Sequence, residues 1–242
     1  MFRPEKGKTP RRSLMNYNDP DPWRKDVSGV PEVVFAPGKN KDMLIAAIDG
    51  LLVHHPVLVT KCSTRQQGII RRRYGKSVVR DGRLSGCMVI TESKTYNPEI
   101  VGKVIIACAG SADMPVAEEA LISAEYLGIQ PVLIADCGVA GPHRVDRCIA
   151  RIKRIDPDAV IVIAGMEGAL PSVIASRIKH PVIAVPTSVG YGTHYHGITP
   201  LLSMMNTCVP GVCVVNIDNG FGASAAAFKI SLRRHIRTHK DR

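Results

Sequence analysis

The amino-acid sequence predicts a three-layer α/β domain on an all-parallel five-stranded sheet, preceded by a small α+β domain. Three observations carry this prediction. Five apolar runs of strand length follow Pro98, at residues 104–109, 132–135, 159–164, 182–185 and 212–217. Runs without polar alternation suit strands covered on both faces, as in parallel sheets. Helix-length segments separate or follow them, at 116–127, 144–155, 169–178, 197–206 and 221–234. Such alternation is the pattern of a doubly wound sheet. No G-x-G-x-x-G follows the first run, so the flavodoxin-like strand order is expected rather than the dinucleotide-fold order.

The first hundred residues have a different texture. Residues 1–28 are rich in Pro, Lys and Arg and are expected to form a basic, loosely ordered leader. Residues 29–100 are read as the small α+β domain. A strand is expected at 32–35 and a helix at 39–52, where Met43, Leu44, Ala47, Ile48 and Leu51 recur at helical spacing. Further strands are expected at 55–60 and 88–90. Arg71-Arg72-Arg73 and the Gly-punctuated stretch after it are assigned no element. Residues 101–234 form the α/β domain and 235–242 a basic tail.

Charge follows the same division. The chain of 242 residues is 45% hydrophobic, enough to bury a core, and carries a net charge of +11. Residues 1–100 hold a net +8, residues 101–228 a net −2 and residues 229–242 a net +5. The basic character therefore flanks the α/β domain instead of residing in it. With 5% aromatic residues there are few platforms for stacking bases, and nucleic acid is not the expected partner. The seven cysteines contain no C-x-x-C pair, and residues 1–14 lack the apolar centre of a secretory signal. That usage suits a reducing, cytoplasmic compartment with mostly buried thiols. No apolar run approaches membrane-spanning length, and no membrane association is expected.

Doubly wound sheets bind ligands outside the carboxyl ends of their strands. That rule selects five loops: Gly110-Ser111-Ala112-Asp113, Asp136 to Gly141, Gly165-Met166-Glu167-Gly168, Pro186 to Gly192, and Asp218 to Gly222. All are rich in Gly and polar residues, where backbone N–H groups can approach an anion. The same composition also suits tight turns with helix caps. Glu167 offers a carboxylate at a strand end, either as an acid–base group or as a partner of a helix dipole. Cys208 lies between a helix and the fifth strand; it is a candidate nucleophile, although a helix end does not favour thiolate. Cys208 and Cys213 match no standard zinc spacing. His194 and His196 form an H-x-H without a visible third ligand and are read as solvated loop imidazoles. His143 follows Gly141-Pro142 and either reaches the site or caps its helix. No serine triad or Walker loop is present.

Long stretches of these loops resemble the LarB family. They are residues 109–120 (AGSADMPVAEEA), 138–144 (GVAGPHR), 164–173 (AGMEGALPSV), 181–192 (PVIAVPTSVGYG) and 216–223 (NIDNGFGA), in order along the chain. The resemblance covers about residues 101–226, more loosely 30–100, and neither end. The LarB family is related to the PurE aminoimidazole ribonucleotide carboxylases and mutases. The resemblance therefore implies a PurE-like α/β domain and a homo-oligomer, tetramer or octamer, with sites near subunit contacts.

It further implies an activity. LarB-like enzymes carboxylate the pyridinium ring of nicotinic acid adenine dinucleotide with CO2 or bicarbonate and hydrolyse its phosphoanhydride. The products are pyridinium-3,5-biscarboxylic acid mononucleotide and AMP, the first step towards the nickel-pincer nucleotide cofactor. The family's nucleophilic cysteine maps onto Cys208 and its acidic residue onto Glu167. Gly110, Ser111, Asp113, His143, Gly165, Pro186, Thr187, Ser188, Asn206, Asp218 and Asn219 are the residues expected to bind substrate. Mg2+ is the implied metal, with no ligands assigned, and no bound organic cofactor is implied. Two departures stand out. The family's usual G-T-S-D is Gly110-Ser111-Ala112-Asp113 here, and His194 and His196 replace smaller or aromatic residues. A PurE-type carboxylase or mutase and a non-catalytic nucleotide-binding module are the alternative readings.

Overall fold

The computed structural model describes residues 19–93 and 95–240. The first sheet forms from α1 (Arg24–Ser28), β1 (Val34–Phe35), α2 (Lys41–Leu52), β2 (Val57–Thr60), α3 (Thr64–Tyr74), β3 (Val78–Asp81) and β4 (Met88–Ile90). Its strand order is β1-β2-β4-β3, with β1 parallel to β2 and the other pairs antiparallel. Asn40 caps α2 by accepting from the Met43 N–H at 3.0 Å. α3 opens on a capping box: Ser63 accepts from the Gln66 N–H, and the Gln66 side chain accepts from the Ser63 N–H.

Alternation explains why β2 and β4 are apolar throughout. Val57, Val59, Met88 and Ile90 point into a core beneath α2 and α3. Leu58, Cys87 and Val89 point the other way, into the core of the second domain. The first sheet is thus covered on both faces, by its own helices and by the second domain.

That domain comprises β5 (Gly102–Cys108), α4 (Met114–Leu127), β6 (Ile129–Ile134), α5 (Pro142–Ile155), β7 (Ala159–Ala164), α6 (Leu170–Ala175), β8 (Val182–Pro186), α7 (Ile198–Met205), β9 (Val212–Val214) and α8 (Gly220–Lys240). Its five-stranded sheet is wholly parallel and ordered β6-β5-β7-β8-β9, as expected for a flavodoxin-like domain. Val104, Ile106, Ile161, Ile163, Ile183 and Val185 face the core shared with α4 and α8. Ile105, Ala107, Val160, Val162, Val182 and Ala184 face the core on the α5, α6 and α7 side. α8 comes very close to α4: a Cβ at Gly220 would lie 2.6 Å from the Val116 carbonyl oxygen, and the Ser224 hydroxyl donates to the Ala120 carbonyl at 2.7 Å.

Several expectations need correction. Burial on both faces holds for β7 and β8 and most of β5, but β6 and β9 are edge strands and largely half-exposed. The run at 212–217 yields only a three-residue strand. The last residues of the expected leader, 24–28, form α1, tied by Arg24 to Asp21 and Glu32; residues 1–18 of that expected leader lie outside the described ones. The expected tail continues α8 through Lys240, and residues 241–242 lie outside the description. α3 and β3 are elements to which the sequence reading gave no assignment. Among the described residues no helix is long and apolar enough to cross a membrane.

Candidate active site

The carboxyl ends of β5, β6, β7 and β8 surround a cavity of about 390 Å³. Its walls are mainly small or apolar: Ala109, Ala112, Val139, Ala164, Leu170 and Val189 among them. Two carboxylates enter this setting, Asp113 and Glu167, and Tyr191 stands at the rim with 79% exposure. The slot therefore offers apolar faces, an aromatic ring and negative charge, a combination that suits a flat cationic ring.

Asp113 is the fixed centre. It is buried, accepts from the Thr187 hydroxyl at 2.8 Å and accepts from the Gly110 N–H at 2.9 Å. Burial raises its carboxyl above the ordinary value and the Asp218 charge adds to that, while the bonds from Thr187 and Gly110 and the nearby His194 oppose it. Gly165 passes between these groups. A Cβ there would lie 2.5 Å from the Val189 carbonyl oxygen and 2.7 Å from Thr187 Oγ1, so the close approach demands glycine. Met166 follows in the left-handed region at φ 48°, and the exposed Glu167 comes next. Backbone in that region is costly for a residue with a side chain, and such positions concentrate at working sites.

A second tier braces the first. Pro186 closes β8, and its carbonyl accepts from the Asp218 N–H at 2.9 Å. The Asp218 carboxylate in turn accepts from the Ser188 N–H at 2.8 Å. Asn219 caps α8 by accepting from the Gly222 N–H at 2.7 Å. Lys61 arrives from the first domain; its Nζ donates to the Asp218 carbonyl at 2.6 Å and pairs with buried Glu119 at 2.8 Å. Burial raises the Glu119 carboxyl and Lys61 pulls it back.

The other sequence-predicted residues divide. Gly110, Asp113, Gly165 and Glu167 line the cavity; Pro186, Thr187, Ser188, Asp218 and Asn219 brace it. Ser111 is exposed in the turn before α4, and His143 is exposed in the first turn of α5 outside the cavity lining. Asn206 ends α7, donating to the Leu202 carbonyl at 2.9 Å. Cys208 is exposed on the loop entering β9, beside the amino end of β8, where the Val182 N–H donates to the Gly211 carbonyl. Thr207 ties that loop to α6 through Ser172 at 2.8 Å. Within one chain, then, Asn206 and Cys208 are not brought to the cavity that holds Glu167 and Asp113.

Exposure nevertheless narrows the candidate thiols to Cys208 and Cys213. Five of the seven thiols are buried, and burial pushes Cys62 and Cys87 up to about 12 and Cys108 up to about 11. Only Cys208 and Cys213 are exposed, and Cys213 sits within β9. His194 corrects the solvated-imidazole reading. It is 4% exposed, its Nδ1 accepts from the Gly197 N–H at 3.2 Å, and its buried Nε2 has no hydrogen-bond partner among the described residues. His196 is exposed as expected.

Comparison with known proteins decides the family. The model described as AIR carboxylase matches residues 103–240, and that described as LarB/PurE-like N-terminal domain matches residues 13–90. The chain belongs to the LarB family. A relative from Methanocaldococcus jannaschii, uncharacterized protein MJ0165, is 43% identical over 211 residues, covering 86% of this chain and 81% of its own. The N5-carboxyaminoimidazole ribonucleotide mutase of the same organism is 32% identical over 130 residues, covering 52% of this chain and 77% of its own. A solved structure of a mutant ribose 5-phosphate isomerase type B from Trypanosoma cruzi is 16% identical, with TM-score 0.29, over 58% of this chain and 93% of its own. The PurE-like domain of this LarB-family chain thus spans the cavity, and its LarB-type N-terminal domain supplies Lys61.

Sequence reasoning missed Lys61, His194, Met166 and Tyr191. Tyr191 and Met166 lay within the selected loops, so position was legible and role was not. Among the described residues no three His, Cys, Asp or Glu side chains converge on a metal position. The carboxylates at the cavity, Asp113 and Glu167, do not by themselves make a protein cage for an ion.

Proposed function

We propose that this carboxylase-type protein acts on nicotinic acid adenine dinucleotide, carboxylating its pyridinium ring with CO2 or bicarbonate and cleaving the phosphoanhydride to release AMP. The observation that carries the reading is the cavity itself: an apolar slot with two carboxylates and a rim tyrosine suits a flat ring bearing positive charge. The family membership supports carboxylase chemistry at this site, and the exposed Cys208 supports a thiolate step.

A pyridinium ring is electron-poor and does not attack CO2 unaided. Addition of the Cys208 thiolate forms a C–S bond and places an electron pair on the ring nitrogen, giving a dihydropyridine. Its enamine carbon C5 then forms the new C–C bond to CO2. Glu167 takes the C5 proton, and departure of the thiolate restores the aromatic cation. Mg2+, when bound, would neutralise the anhydride oxygens during release of AMP.

Because Cys208 lies away from the cavity in one chain, this scheme places Cys208 of one copy over the Glu167 cavity of another. The exposed apolar residues near the cavity and along α7, including Val189, Ile198, Leu202 and Met205, support such an apposition.

The test is mass spectrometry of the protein incubated with nicotinic acid adenine dinucleotide, Mg2+ and 13C-bicarbonate. AMP and a mononucleotide carrying one additional labelled carboxylate are expected, and Cys208→Ser should yield no labelled mononucleotide while remaining folded. The similarity to a mutase favours one second reading, carboxylate transfer on an aminoimidazole ribonucleotide. That substrate is already nucleophilic, so turnover on it would survive Cys208→Ser and displace the thiolate scheme.

A further inference from the structure

The N-terminal domain holds a larger cavity, about 690 Å³, that the carboxylation chemistry does not use. It lies where the chain leaves β1 and β2 and enters α2 and α3. Lys39, Lys41, Lys61, Arg65 and Arg83 line it, and among the described residues no Asp or Glu does. Lys61 is committed to Glu119 and the Asp218 carbonyl. The other four make no ion pair among the described residues; Arg83 only lowers the Asp81 carboxyl at a distance, and that carboxylate already pairs with Arg71. Four positive charges surround one concavity; the nearby Glu118 carboxylate is already occupied by the Leu84 and Ser85 N–H groups and the Ser85 hydroxyl, so the cationic lining favours an entering anion.

The backbone favours the same kind of ligand. α2 and α3 are 12 and 11 residues long, and both begin at this cavity, with Asn40, Lys41, Ser63, Thr64 and Arg65 among its lining. Their side-chain caps accept from the Met43 and Gln66 N–H groups, leaving the N–H groups of each first turn before those positions for another acceptor. The amino ends of two helices thus lie at the cavity that the cations line, although Asp42 in the first turn of α2 offsets part of that helix's dipole. Lys61 connects this cavity to the Asp218 loop that braces the candidate active site.

We infer that this basic cavity between the starts of α2 and α3 is a site for a phosphate or diphosphate group, with Lys39, Lys41, Arg65 and Arg83 as its cationic ligands. Its chemistry is that of a diphosphate or a 5′-phosphate, for which guanidinium groups offer paired donors and ammonium groups offer point charge. The assignment stands on its own geometry; it goes beyond the carboxylation reading and requires no turnover.

Isothermal titration of the full chain with inorganic pyrophosphate, and separately with AMP, tests it. Binding is expected to weaken as salt rises. Arg65→Ala with Arg83→Ala should weaken pyrophosphate binding by about tenfold or more, the scale of losing charge-assisted contacts. Both side chains are exposed, so the variant should melt at the wild-type temperature. Wild-type protein that binds pyrophosphate but forms no labelled mononucleotide from nicotinic acid adenine dinucleotide would sink the carboxylation reading and leave this site standing. Unchanged pyrophosphate affinity in the double arginine variant overturns the inference. So does a single-stranded oligonucleotide that displaces pyrophosphate and binds about tenfold tighter, since that makes the surface a nucleic-acid site.

Discussion

Asp113 concentrates the tension of the site in one residue: a buried carboxylate whose two oxygens are both engaged. Because burial raises its folded-state value above the unfolded one, its contribution to stability is fully present below the unfolded value and is lost as pH rises through the folded one. Asn at this position can keep both bonds. Its amide oxygen can accept from Gly110 and its NH2 can donate to the Thr187 hydroxyl. Asp113→Asn should therefore melt at the wild-type temperature near pH 4 and above it near pH 8, by roughly 2–4 °C for each kcal/mol relieved. Thermal melts across that range check this, and a difference that does not grow with pH would mean that the buried charge costs nothing. His194 belongs to the same neighbourhood. Its unpartnered Nε2 and its packing against Gly190 were hidden in the sequence, where H-x-H in a Gly-rich loop reads as solvent-facing.

At the scale of elements, α3 shows what apolar periodicity fails to reveal. It buries Gln67, Ile69 and Ile70 but also carries Arg71, Arg72 and Arg73, so its apolar face is narrow. The signal that would have found it is the S-x-x-Q capping box at Ser63 and Gln66. Ser63→Ala should cost about 1 kcal/mol, read as a melting temperature lower by roughly 2–4 °C. No loss would show that Gln66, which also donates to the Ala36 and Lys39 carbonyls, holds the turn alone. The central strands β5, β7 and β8 were legible because both their faces are covered and, Lys103 at the start of β5 apart, their side chains are therefore apolar. The edge strand β3 was not, because only Val78 and Val79 pack while Arg80 and Asp81 are exposed. The strand-end rule found the loops that form the cavity. It also had the means to set Cys208 apart, since a loop that leads into a parallel strand lies on the rim opposite to one that leaves it.

For the whole molecule, that opposition becomes a prediction about assembly. Cys208 lies by the amino ends of β8 and β9, and Glu167 lines the cavity at the carboxyl ends. A sheet does not bend to join its two rims, so a site using both residues needs two copies of the chain. Symmetric oligomers supply such pairings reciprocally, each copy giving its cysteine to a neighbour's cavity. Cys208→Ser and Glu167→Gln should each be inactive alone. If the two variants are unfolded together and refolded as a 1:1 mixture, a cavity with intact Glu167 meets an intact Cys208 in about a quarter of random pairings. Recovery of about a quarter of wild-type carboxylation is therefore expected, measured as labelled mononucleotide per chain. No recovery, from mixtures that native mass spectrometry shows to be hybrid oligomers, would mean that both residues act within one chain. The loop of residues 206–211 would then have to move to the cavity, and the Thr207 to Ser172 bond would have to break for it to do so.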